Sequence, residues 1–76
     1  MSELSVRFGR KVKELRKSIN ISQNELAERV GVSKDYIGLI ERGLRSPSLQ
    51  VIERIANSLG VAIKSLFDDP QSKVLK

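Results

Sequence analysis

The amino-acid sequence predicts an all-α fold, a compact bundle of five helices, on three observations. Apolar residues recur at three- and four-residue spacing, which is the period of one helix face. Serines precede these runs where a helix needs an N-cap, and Gly31, Gly43 and Gly60 follow them where it needs a stop. The stretch 23–43, QNELAERVGVSKDYIGLIERG, holds two such runs with a tight corner between them. No strand pattern, internal repeat, low-complexity tract or interdomain linker is visible, so the chain reads as one domain with its core at about 5–68.

Residues 1–5 are expected to form a short arm. The first helix is expected over about 5–18, where Phe8, Val12, Leu15 and Ile19 share one face at 4, 3, 4 spacing. Arg7, Arg10, Lys11, Lys13, Glu14 and Lys17 cover the rest, and Asn20 is the expected stop. Ser22 caps the second helix, and Glu25 three residues later completes a capping box. Leu26, Ala27 and Val30 make its apolar side, Gly31 ends it, and Val32 plugs the corner. Ser33 caps the third helix, which buries Ile37 and Ile40 and stops at Gly43. After a loop containing Pro47, Ser48 caps a fourth helix over about 49–59, with Leu49, Ile52, Ile55, Ala56 and Leu59 on its apolar face. A last short helix over about 63–67 brings Ile63, Leu66 and Phe67 toward the core. Asp68, Asp69 and Pro70 stop it, and 71–76 is a polar tail expected to fray.

The corner between the second and third helices is too short for them to lie side by side. A steep crossing leaves the start of the third helix projecting, with Lys34, Asp35, Gly38 and Leu39 on its outward side. This is the geometry of a helix-turn-helix, whose second helix enters the DNA major groove.

Composition narrows the alternatives. Cysteine and histidine are both absent, which removes disulfides, thiolate or imidazole catalysis and the usual zinc ligands. No cofactor or metal is expected. No apolar run approaches the ~20 residues of a membrane span, and no signal-peptide pattern opens the chain, so the expected setting is the cytoplasm. The net charge is +5, unevenly spread: +4 over 1–20, −1 over 21–43 and +2 over 44–76. Basic flanks around a slightly acidic middle suit a protein whose flanks hold phosphates while the middle reads bases. The same residues also serve as ordinary solvated helix formers, and charge alone does not choose between the two.

The motifs SQNELAERVGVS, YIGLIERG and PSLQVIERIANSLGV, in this order, resemble the phage-repressor/Cro-like (XRE-type) helix-turn-helix family from Phe8 to Phe67. Among its small members the chain looks most like restriction–modification controller proteins and the DNA-binding domains of sporulation and biofilm repressors. The resemblance implies a five-helix DNA-binding domain and a role for each matching residue. Gln23 touches a phosphate and braces the reading helix. Lys34 and Asp35, beside the cap Ser33, reach base edges, where Lys suits guanine O6 and N7 and Asp can accept from cytosine N4. Asp35 has a second reading, as dipole partner of its own helix or as a charge that discourages non-specific binding. Gly38 costs ~1 kcal/mol against alanine in a helix; either no side chain fits between helix and groove, or the site is exposed and indifferent. Leu39 touches a thymine methyl, or is simply an exposed leucine. Tyr36 bonds a phosphate while its ring packs at the helix edge. Arg42, Arg45 and Ser46 lie at the helix end and in the loop that follows the DNA backbone.

Arg16 and Glu41 match a structural ion pair that sets the angle of the reading helix. One departure is Ala62, which stands where relatives cap the last helix with Ser or Thr. Controller-like relatives dimerise through this region, so Val61, Ile63, Leu66 and Phe67 are the expected dimer interface, with the monomer core as their other reading. The function implied is that of a sequence-specific regulator, binding double-stranded DNA as a homodimer on two half-sites about one helical turn apart. Occupying a promoter can block RNA polymerase or recruit it, and no residue decides between these. A protein-interaction module of the same fold, such as an antitoxin or bridging coactivator, is the alternative. An enzyme ranks well below both, because scattered carboxylates make no recognisable site.

Overall fold

The computed structural model describes residues 2–67. Four α-helices and one 3₁₀ turn follow one another: α1 (Glu3–Ser18), α2 (Gln23–Val30), α3 (Lys34–Glu41), α4 (Leu49–Leu59) and the turn Ile63–Leu66. The architecture is all-helical, with four helices where five were expected. The reason lies at Ala62, which supplies no side-chain cap. The segment after it closes only i→i+3 bonds, Ser65 N–H to Ala62 and Phe67 N–H to Lys64, as short uncapped segments do. The proposed stop at Asp68–Pro70 and the tail lie outside the described residues.

The other helices begin where a serine oxygen meets a free amide. Ser22, Ser33 and Ser48 accept from the amides of Glu25, Tyr36 and Val51 at 3.0, 3.0 and 3.2 Å. Ser2 does the same for Ser5 at 3.0 Å, so α1 starts at Glu3 and most of the expected arm is helical. The capping box at α2 is only half formed. The Glu25 carboxylate turns instead to Arg29, one turn along, at 2.9 Å, an i,i+4 pairing that competes with the box.

Leu26, Val12, Ile37, Ile40 and Ile55 are fully buried, with Phe8, Val30, Leu59 and Leu66 around them. α2 packs on α3 and α4, while α3 also packs on α1. Of the residues expected at the core, Ile19, Leu49, Ile63 and Phe67 are exposed. Asn20 takes φ +62 and turns the chain after α1, which leaves Ile19 exposed and buries Ile21 in its place. Leu49, the first residue of α4, is 83% exposed. Leu66, expected at a dimer contact, is 1% exposed and belongs to the monomer core.

Candidate nucleic-acid interface

Helix α3 has two sides with different duties. Ile37, Ile40 and Glu41 are buried, whereas Lys34, Asp35 and Arg42 are exposed and Tyr36, Gly38 and Leu39 are half-buried. The inner side is held at several points. Arg16 grips Glu41 with a fork, Nε to Oε2 at 2.7 Å and Nη2 to Oε1 at 3.1 Å, and donates through Nη1 to the Ile21 carbonyl at 2.8 Å. Gln23, at the start of α2, donates Nε2 to Glu41 Oε1 at 3.0 Å. One buried carboxylate therefore ties together α1, the start of α2 and the end of α3. Charge-assisted bonds in a dry site are the strong ones.

Two glycines complete the clamp. A Cβ built on Gly9 of α1 would overlap the Ile40 carbonyl oxygen and lie 2.9 Å from that of Glu41. At Gly43, whose φ is +78, a Cβ would lie 2.8 Å from Val6 Cγ2. The end of α3 thus touches α1 backbone to backbone. Gly9 was absent from the residues singled out in the sequence. Its one signal was a glycine inside a helical pattern, which calls for a packing reason.

The loop after α3 is also tied down. The Ser5 and Ser46 hydroxyls are 2.8 Å apart, joining the first turn of α1 to the loop. The Arg45 guanidinium stands 5.5 Å above the Tyr36 ring, a cation–π contact that sets both beside the outer side of α3. Ser33 spends its oxygen on the α3 cap. Gln23, Ser33, Lys34, Asp35, Tyr36, Gly38, Leu39, Arg42, Arg45 and Ser46 therefore lie on α3, its cap, its following loop and the abutting start of α2.

The expected dimer residues divide. Val61 is half-buried against the core, Ile63 and Phe67 are partly exposed, and the Phe67 ring lies 5.1 Å from that of Phe8. Two adjoining grooves share Leu49, Ile52 and Phe67 in their walls; Ile63 lines one and Leu4 the other. Leu49 was missed as a surface residue because helical spacing places it on an apolar face and cannot say where a face ends.

A helix-turn-helix family model matches residues 12–66. The control protein C.MunI of a Mycoplasma species is 37% identical over 70 residues, covering 91% of this chain and 95% of that protein. The transcriptional regulator SinR of Bacillus subtilis is 40% identical over 63 residues, 82% of this chain and 57% of SinR. Among solved structures, the restriction–modification controller protein C.AhdI of Aeromonas hydrophila superposes with a TM-score of 0.81 at 38% identity, over 83% of this chain and 96% of C.AhdI. The clamped, outward-facing α3 and these matches lead to one conclusion: the chain belongs to the XRE-type helix-turn-helix family.

Proposed function

We propose that this chain is a transcriptional regulator that binds double-stranded DNA in a sequence-specific manner as a homodimer. The observation that carries the reading is the two-sidedness of α3. Its inner side is fixed by Ile37, Ile40 and the Arg16–Glu41–Gln23 network, while its outer side presents Lys34, Asp35 and Arg42. A helix held this firmly can offer side chains to a major groove at little entropic cost. The relatives named as controllers and regulators support the same reading. Selection of bound sequences from a random DNA pool tests it. A two-fold symmetric consensus is the expected result, with affinity falling steeply as salt rises. A flat salt dependence and no preferred sequence would point to a protein-binding module instead.

Lys34 is assigned to a base edge. Lys34→Ala is expected to weaken operator binding by about 1–3 kcal/mol and to relax preference at one position per half-site. Equal loss on operator and random duplexes would show that Lys34 meets only phosphate.

The homodimer is assigned to the apolar face around Leu49, Ile52, Ile63 and Phe67, with Leu4 at its edge. The occupant is a second copy, since a two-fold axis presents the same patch from both sides and sets two reading helices on one symmetric site. Leu49 is the residue to change, because at 83% exposure it contributes little to the monomer. In Leu49→Glu, sedimentation should show a monomer, circular dichroism an unchanged helical fold, and operator affinity should collapse. A dimer that persists with full affinity would place the contact elsewhere.

A further inference from the structure

Gly38 is a mid-helix glycine that the protein backbone does not require. Its φ is not among the positive ones. A Cβ built there would meet the Gln23 amide at 3.8 and 3.9 Å and Arg42 Nη2 at 4.0 Å, all ordinary van der Waals distances. Alanine therefore fits, but a longer side chain would have to take the space those two polar groups occupy. Arg42 fills that space by reaching back one turn. Its Nε donates to the Gly38 carbonyl oxygen at 3.2 Å, in the N-terminal lean that helical side chains prefer. With Nε engaged, Nη1 and Nη2 have no protein hydrogen-bond partner among the described residues.

We propose that Gly38 and Arg42 form one DNA-contacting unit, in which Gly38 is a positioning residue whose missing side chain seats the Arg42 guanidinium, and Arg42 presents its two Nη groups to a pair of acceptors on the duplex. This rests on the DNA-binding reading and gives Gly38 a reason other than close approach of the groove to the helix. The acceptor pair is either the O6/N7 edge of a guanine or two oxygens of one phosphate, since both match a guanidinium fork.

Four variants of the chain, compared on the selected operator and on random duplex by fluorescence anisotropy, test the unit. Gly38→Ala should lose far less operator affinity than Gly38→Leu, because its Cβ stays at van der Waals distance from the guanidinium, and should raise the melting temperature, because alanine is the better helix former. Gly38→Leu should lower operator affinity by about 10-fold, the scale of one lost bidentate contact. In an Arg42→Ala background the same leucine should cost almost nothing further, since the guanidinium it displaces is gone. Arg42→Ala by itself identifies the acceptor. Relaxed guanine preference at one position per half-site means a base edge, and a uniform loss with a salt slope smaller by about one means a phosphate.

The unit is overturned if Gly38→Ala loses as much affinity as Gly38→Leu, or if the leucine costs the same factor with and without Arg42. The first result means that the duplex lies against the glycine itself; the second means that the leucine acts on the duplex or on Gln23 rather than through Arg42. Should circular dichroism show that the leucine variant unfolds, the alanine variant decides alone. An unaltered chain that prefers no duplex would overturn the DNA reading and the unit together, whereas additive losses on a bound operator overturn the unit only.

Discussion

Replacing Glu41 by alanine is expected to destabilise the fold by about 3–5 kcal/mol, the range found when one member of a buried ion pair is removed. The side chains of Arg16 and Glu41 are only 9% and 2% exposed. Without the carboxylate, the Arg16 guanidinium keeps its bond to the Ile21 carbonyl but loses both bonds to Glu41, and Gln23 loses its acceptor as well. A charge is then left out of water and poorly paired, which is the costly state. Denaturant unfolding measures the loss. A double-mutant cycle with Arg16→Ala should give a coupling of about 0.5–3 kcal/mol, as residues in one network do. Operator affinity per folded molecule should fall too, because the network joins α3 to α1 and to the start of α2. Additive effects on stability would show that the pair does not couple, and an unchanged affinity in the folded fraction that it does not set the reading helix.

Gly9→Ala should be the second large effect, and its sign is the informative part. At an ordinary helix position the change would stabilise by ~1 kcal/mol. Here the new Cβ would overlap the Ile40 carbonyl oxygen, and backbone is the hardest thing to move. A loss of at least the ~1–3 kcal/mol of an overpacked core is expected, together with a shift of α3 away from α1. Thermal unfolding and operator binding check both parts. Gly60→Ala makes a useful control: it meets nothing within 4 Å but sits at φ +73, so its cost is that of strained backbone without a clash. A Gly9→Ala protein as stable as the unaltered chain would mean that the two helices can part without penalty.

Caps and stops were legible because they are local. Ser22, Ser33 and Ser48, with Gly31 and Gly60, act on groups within three or four residues, so neighbouring letters suffice to place five helix boundaries close to where they lie. The inner faces of α2 and α3 were equally legible from Leu26, Ala27, Val30, Ile37 and Ile40. The last helix was over-read, since Ile63, Leu66 and Phe67 suit a helix by spacing and only the absent cap argued against one.

What the sequence by itself determined is the helical class, the order of the elements and which side of α3 faces inward, all consequences of spacing and capping along a few turns. Tertiary structure decided the rest, because it depends on where one element stops covering another. Ile19 and Leu49 carry helical spacing yet lie outside, as α1 has turned at Asn20 and α4 has only begun. Leu66 lies inside because α1 and α4 close over the turn that bears it. Gly9 meets carbonyls some thirty residues away, and Gln23 finds Glu41 across the corner. The angle at which α3 is presented follows from those long-range meetings, between atoms that no local pattern pairs.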